Sequence, residues 1–78
     1  MAEREGARAK GRVVNDIKAL RTALGLTQQA LADAAGATRQ TIIAVEAGKY
    51  SPSLELAFRL SRVLGAPFEH VFDYREAE

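Results

Sequence analysis

The sequence offers few side chains of the types that do covalent or metal chemistry. It has no cysteine and a single histidine, His70, so it cannot assemble a thiolate site or a set of histidine metal ligands. Its serines, Ser51, Ser53 and Ser61, have no plausible base and orienting group to activate them. We therefore expect no enzyme activity, no metal ion and no cofactor, and we interpret His70 as a surface residue.

The charged residues are distributed unevenly along the chain. The net charge of the whole sequence is +1. Residues 8–62 contain nine Lys or Arg and four Asp or Glu, a net charge of +5, whereas residues 63–78 have a net charge of −3. A basic body with an acidic end is typical of a protein whose body binds a polyanion. A solvated surface with a chance asymmetry gives the same counts, and charge alone does not separate the two.

The length of the chain restricts its architecture. With 78 residues and no disulfide, the chain is near the lower size at which a single core suffices, so a partner chain would help. No apolar stretch approaches the roughly 20 residues of a membrane span, and no signal-peptide pattern opens the chain. We therefore expect one cytoplasmic domain that has no membrane contact and no room for a separate small-molecule domain.

Apolar residues at helical spacing, with glycines at the stops, predict five helices. Residues 1–12 have almost no large apolar side chain and are predicted to be a flexible basic arm, followed by a domain over 13–72 and an acidic tail over 73–78. At the start of the fourth helix, either Ser51 or Ser53 is the cap. The predicted helices are, in order, Val13 to Leu24, Gln28 to Ala35, a third between the Thr38 cap and Gly48, a fourth with its apolar stripe from Leu56 to Leu64, and Phe68 to Phe72.

The third predicted helix contains a conflict between propensity and context. Thr41, Ile42 and Ile43 are consecutive β-branched residues, which favour a strand by propensity. A strand needs a pairing partner, however, and we find no other segment that alternates with period two. The Thr38 cap and the Gly48 stop outweigh a few tenths of a kcal/mol of propensity per residue, so we predict a helix.

The second and third helices, joined by a turn at Gly36, form a helix-turn-helix. The stretch LGLTQQALADAAGATRQTIIAVEAGKYSPSLELA, with LGAPFEHVF after it, resembles the lambda-repressor-like (Xre/Cro-type) DNA-binding domain over residues 13–72. The resemblance rests on L-G-L-T-Q before the second helix, L-A-x-x-A-G through the turn, I-x-x-V-E-x-G-K after it, and P-S-L-E at the fourth helix. It implies an all-α, five-helix domain whose third helix enters the major groove of DNA.

The resemblance also implies which residues read bases, namely those on the face of the third helix away from its apolar stripe. Arg39 is suited to guanine O6 and N7, and Gln40 to adenine N6 and N7. Ile43 and Ala44 have no donors and would meet thymine methyl groups. The alternative for Ile43 is a helix-packing or dimer contact, and the alternative for Arg39 and Gln40 is a solvated helix start.

Phosphate contacts are expected at helix starts, where free N–H groups and the helix dipole attract anions, and in the loop after the third helix. The expected residues are Gln28, Thr38, Thr41, Lys49 and Tyr50. Such contacts position the protein without reading sequence. The arm residues Arg8, Lys10 and Arg12 either add backbone or minor-groove contacts or bind nothing.

Two further expectations come from the resemblance and concern stability. In similar domains, the residues at the positions of Arg21 and Glu46 form a mostly buried ion pair between the first and third helices. Ala30 departs from the pattern, because the family commonly has Glu at this capping-box position. The second helix should therefore lack the reciprocal cap bond.

The function that these features predict is sequence-specific transcriptional regulation. The protein is expected to be a repressor that binds a palindromic operator as a homodimer, under the control of its own concentration, the DNA or a protein partner. The alternative is an antitoxin-like interaction module that occludes another protein. The resemblance implies that two protomers join through the region of the fourth and fifth helices. The alternative is that Phe68 and Phe72 only close the core and that the dimer forms only on DNA. The expected interface residues are Phe58, Ala66, Pro67, Phe68, Val71, Phe72 and Tyr74.

Overall fold

The computed structural model describes residues 11–76, which form five helices and a two-stranded sheet. The fold is thus mostly helical rather than all-α as predicted. The arm residues Arg8 and Lys10, and residues 77–78 of the predicted tail, lie outside the described residues. The elements are β1 Gly11–Asn15, α1 Ile17–Ala23, α2 Gln28–Ala35, α3 Arg39–Glu46, α4 Leu54–Leu64, α5 Phe68–Val71 and β2 Phe72–Glu76.

The sheet joins the two ends of the domain and corrects the predicted helix bounds. β1 and β2 pair antiparallel, with Asn15 opposite Phe72 and Val13 opposite Tyr74. The first helix therefore begins at Ile17 and not at Val13, and the fifth helix ends one residue earlier than predicted. Val13 and Ile17 are four residues apart, as on one face of a helix, but Val13 belongs to β1 and Ile17 is the first residue of α1.

Local sequence explains why these two segments become strands. Val13 and Val14 are β-branched, and the apolar residues Phe72 and Tyr74 alternate with charged ones. The expectation that no other segment alternates with period two is wrong for this stretch. Arg12, assigned to the arm, and residues 73–76, assigned to the tail, are strand residues. Each strand alone would be unstable, and they become stable because they pair and rest on the helices.

The helix starts of the central region follow the predicted caps. The hydroxyl of Thr27 accepts from the Ala30 N–H at 3.0 Å, and α2 begins there. The start of α4 is capped by Ser53, which accepts from the Leu56 N–H at 3.1 Å, so Ser53 and not Ser51 is the cap. Gly36 ends α2 with φ of 72°, a left-handed conformation that favours glycine and lets the chain turn tightly into α3.

The core lies between the helices and takes in one side of α3. Because α3 contributes Ile42 and Val45, its inner face is fixed against the rest of the domain, and its outer face is left to solvent. None of the helices within residues 11–76 is long and apolar enough to cross a membrane. The buried apolar residues are Ile17, Leu31, Ala32, Ala35, Ile42, Val45, Ala57, Leu60, Leu64, Val71 and Phe72.

Candidate nucleic-acid interface

Helix α3 has two chemically different faces. Ile42 and Val45 are 0% and 1% exposed and anchor the helix in the core. The side chain of Ile43, in contrast, is 40% exposed, so it is not a core residue of this domain. An apolar side chain that points away from the core is available for contact with another molecule. The outer face consists of Arg39, Gln40 and Ile43, with Ala44 half-buried at its edge.

The first turn of α3 is held by a pair of threonine hydroxyls. Thr38 Oγ1 accepts from the Thr41 N–H at 3.1 Å, which caps the helix. The two hydroxyl oxygens lie 2.9 Å apart, and one donates to the other. This arrangement uses one of the two hydroxyl protons and leaves the second for an outside acceptor. The start of α3 thus presents a hydroxyl donor beside free backbone N–H groups, a combination that suits an anion.

The remaining residues expected to bind phosphate lie on either side of the outer face. Lys49 and Tyr50 are exposed in the loop that follows α3. Gln28, at the start of α2, is half-buried, and its Nε2 donates to Glu46 Oε1 at 3.2 Å. This bond uses one of the two Nε2 protons, so one donor remains for a further acceptor.

The C-terminal end of α3 is tied to α1 by an ion pair. Arg21 Nε lies 2.7 Å from Glu46 Oε2, and Arg21 Nη2 donates to Glu46 Oε1 at 3.2 Å. Arg21 Nη1 also donates to the carbonyl of Leu26 at 2.9 Å. The two side chains are only 11% and 7% exposed, so the pair is largely removed from water. The position of α3 is therefore set by charge-assisted hydrogen bonds as well as by apolar packing.

Asn15 makes a second contact with the end of α3 that no motif in the sequence marks. Its Nδ2 donates to the carbonyl of Val45 at 2.8 Å, and its Oδ1 accepts from the Ile17 N–H at 3.0 Å. The available signal was an Asn-Asp pair before Ile17, since an asparagine that bonds the N–H two residues on forms an Asx turn. Asn15 and Val45 are 30 positions apart along the chain, so their contact leaves no local pattern in the sequence.

The residues expected in a dimer interface form an aromatic cluster beside the sheet. The ring of Phe68 lies 5.2 Å from that of Phe58 and 5.2 Å from that of Phe72. Phe58 is 51% and Tyr74 is 47% exposed, whereas Val71 and Phe72 are buried within the domain. We call the surface made by the exposed Phe58 and Tyr74 and the half-buried Phe68 the aromatic patch. The other two expected residues, Ala66 and Pro67, lie in the turn before α5, half-buried and exposed respectively.

An open apolar groove of about 470 Å³ adjoins the aromatic patch. Phe68, Phe72 and Tyr74 line it together with Leu54, which is 67% exposed. A contiguous apolar surface that includes exposed side chains is a candidate contact surface.

Comparison with known proteins identifies the family. The sequence model of the helix-turn-helix family matches residues 17–71, from the start of α1 to the end of α5. An uncharacterised HTH-type transcriptional regulator of Methanocaldococcus jannaschii is 47% identical over 64 residues, which cover 82% of this chain and 97% of that protein. One of Methanothermobacter thermautotrophicus is 58% identical over 57 residues, which cover 73% of this chain and 80% of that protein.

A solved structure has the same fold. The restriction-modification controller protein C.AhdI from Aeromonas hydrophila aligns with a TM-score of 0.66 and 33% sequence identity, over 69% of this chain and 78% of that chain. These similarities are to a non-enzymatic family of DNA-binding proteins. The chain therefore belongs to the helix-turn-helix transcriptional regulators, and α2 and α3 are its helix-turn-helix.

Proposed function

We propose that the protein is a repressor that binds a palindromic operator as a homodimer, with α3 of each protomer in the major groove. The observation that carries this proposal is the two-sided character of α3. Ile42 and Val45 bury one face completely, while the opposite face holds a guanidinium, an amide and an exposed Ile43. A helix held rigidly by one face can present the other to base edges with little loss of side-chain freedom.

The outer face of α3 contains the side chains that direct readout needs. Arg39 donates two parallel N–H groups to guanine O6 and N7, and Gln40 pairs with adenine through its amide oxygen and nitrogen. Ile43 and Ala44 contact thymine methyl groups. Arg39 and Gln40 belong to the first turn of α3, the part of such a helix that comes closest to base edges.

Phosphate contacts on both sides of α3 position it in the groove. The first turn of α3 offers the Thr38–Thr41 hydroxyl pair, and Gln28 offers its remaining amide proton at the start of α2. Lys49 and Tyr50 contact the backbone from the loop after α3. These contacts give affinity that depends on salt and not on sequence.

Two protomers are needed because one α3 of eight residues reads only a few base pairs. Two copies bind half-sites one helical turn apart, roughly 34–36 Å. The aromatic patch supplies the surface that joins them, since Phe58 and Tyr74 are about half exposed in the single chain and the patch belongs to elements other than the helix-turn-helix. Repression then follows from occupancy, because a dimer on an operator within a promoter excludes the polymerase.

Binding measured across salt concentration tests this function. The probes are a duplex with an inverted repeat, taken from the DNA upstream of the protein's own gene, and a scrambled duplex of the same composition. The affinity for both should fall steeply as salt rises, because phosphate contacts release counterions, and the inverted repeat should bind more tightly at every salt concentration. Affinity that is independent of salt, or equal for the two duplexes, contradicts the proposal.

A further inference from the structure

Three polar side chains converge on the last two residues of α3. Arg21 and Gln28 both donate to the carboxylate of Glu46, and Asn15 donates to the backbone carbonyl of Val45. Arg21 belongs to α1 and Gln28 to α2, so these two tie α3 to the other helices. Asn15 belongs to β1, and within residues 11–76 it makes the one side-chain hydrogen bond between the sheet and α3.

The carboxamide of Asn15 is suited to this connection because it offers a donor and an acceptor at the same time. Its Nδ2 is 2.8 Å from the Val45 carbonyl, and its Oδ1 is 3.0 Å from the Ile17 nitrogen. The backbone of Asn15 pairs with Phe72 in the sheet. One half-buried residue thus fixes the end of α3 relative to the start of α1 and to both strands.

The connection continues from the sheet to the aromatic patch. Phe72 is the strand partner of Asn15. The centre of its ring lies 5.2 Å from the centre of the Phe68 ring, which in turn lies 5.2 Å from the centre of the Phe58 ring. Phe72 is buried, so it transmits a rigid contact, whereas Phe58 is half exposed. A continuous set of packed and hydrogen-bonded groups therefore links the C-terminal end of the reading helix to the surface proposed to join two protomers.

We propose that Asn15 is a positioning residue that sets the angle between α3 and the aromatic patch. In a symmetric dimer this angle determines the distance between the two reading helices, and hence the spacing of half-sites that the dimer accepts. The proposal rests on the homodimer proposed above. Asn15 itself touches no base or phosphate in this account, so its loss should alter spacing preference and not half-site recognition.

Two substitutions separate the two roles of the carboxamide. Asn15→Asp keeps an oxygen that accepts from the Ile17 N–H but loses the donor to Val45, and it places a carboxylate against that carbonyl. Asn15→Ala loses both bonds. Ser61→Ala is the matched control, because it removes a buried hydrogen bond to the Ala57 carbonyl, within α4 and away from α3. All proteins are compared at a temperature at which circular dichroism shows each of them folded.

The binding experiment uses the wild-type inverted repeat, the same repeat with one base pair inserted or removed at its centre, and a single half-site. Both Asn15 variants should reduce the preference for the correct spacing by roughly 2- to 10-fold, the range expected for the net contribution of one hydrogen bond. The half-site affinity of both Asn15 variants should change by less than about twofold. For Ser61→Ala, both the half-site affinity and the spacing preference should change by less than about twofold. Equal losses on half-site and repeat, with unchanged spacing preference, would assign Asn15 to stability alone and overturn the proposal.

A measurement without DNA keeps the inference separate from the homodimer. Residual dipolar couplings of the free protein report the orientation of α3 relative to the strands. In Asn15→Asp, α3 should take a different orientation relative to the strands, or fluctuate so that its couplings are averaged to smaller values. Ser61→Ala should keep the couplings of the wild type. An unchanged orientation in Asn15→Asp overturns the proposal whatever the DNA results are. The wild-type protein could instead bind repeats of every spacing with equal affinity while the orientation of α3 changes in Asn15→Asp. In that case the homodimer proposal fails, and the control of half-site spacing fails with it.

Discussion

Arg21 and Glu46 form a bidentate ion pair that fastens the C-terminal end of α3 to α1. The two short contacts, Nε to Oε2 at 2.7 Å and Nη2 to Oε1 at 3.2 Å, match the planar fork of a guanidinium to a carboxylate. Glu46 is the last residue of α3, and its carboxylate also accepts from Gln28. A buried charge that is fully hydrogen-bonded in this way becomes costly when its partner is removed.

Glu46→Ala should therefore destabilise the domain strongly. It leaves the guanidinium of Arg21 largely buried without its counter-charge, and we expect a loss of about 3 kcal/mol, or roughly 12–24 °C in melting temperature. The control is Glu55→Ala, which breaks the exposed pair of Glu55 with Arg59 and should cost at most about 1 kcal/mol. Thermal melts that show equal, small shifts for the two variants contradict the importance of the buried pair.

Ala30→Glu should stabilise the domain. Thr27 already caps α2, and Ala30 is three residues after it, the position from which a glutamate reaches back to the Thr27 N–H. The first turn of α2 contains no acidic residue, so the helix dipole also favours the change. We expect a gain of about 0.5–1 kcal/mol, measured by chemical denaturation.

Ala30→Gln separates the two contributions, because it restores the cap without the charge and should give a smaller gain than Ala30→Glu. A lower stability for both variants means that the space beside Ala30 does not admit the longer side chain.

The helical part of the fold is predictable from the sequence because its signals are local. Thr27 and Thr38 precede apolar runs at helical spacing, and Gly36 supplies the left-handed turn between them, so the helix-turn-helix is encoded within about twenty consecutive residues. The sheet was missed for the opposite reason. Val13 pairs with Tyr74, which lies near the other end of the sequence. A short strand whose partner is so far away along the chain has the same local apolar spacing as the start of a helix.

Phe58→Ala should weaken the proposed dimer. Phe58 is half exposed and packs on Phe68, so an aromatic side chain at this position is a candidate hot spot whose truncation costs about 2 kcal/mol or more, a roughly 30-fold weaker dimer. Leu24→Ala is the control, since Leu24 is 53% exposed at the end of α1 and outside the patch.

Sedimentation equilibrium of the free proteins at micromolar concentration measures the difference. If the wild type is a monomer, and Phe58→Ala still binds the complete inverted repeat cooperatively, then the aromatic patch does not join the protomers.

The polar contacts within the candidate interface were only partly predictable. Exposure of Gln40 and Ile43 follows from helical periodicity, because both lie on the side of α3 away from the buried Ile42 and Val45. The bond from Gln28 to Glu46 and the bond from Asn15 to Val45 depend instead on how separate elements pack. Such contacts between distant residues have no period or spacing in the sequence, and only the folded chain reveals them.

Lys49→Ala should weaken binding to all DNA sequences by a similar factor. Lys49 is exposed in the loop after α3 and is proposed to contact phosphate, so its removal reduces the number of counterions released. The slope of log affinity against log salt should become shallower by about one for each protomer bound. Titrations over a salt series check this, and a change in base preference with an unchanged slope would move Lys49 from the backbone to the bases.

The most direct test of α3 as the reading helix is selection of bound sequences from a randomised duplex library, with wild type and Arg39→Ala in parallel. The wild type should select an inverted repeat with a guanine at one fixed position in each half-site. Arg39→Ala should lose about 1–3 kcal/mol of affinity for that repeat and relax the preference at that one base pair, while keeping the others. If Arg39→Ala selects the same repeat with unchanged preference at every position, α3 does not read DNA in the way proposed.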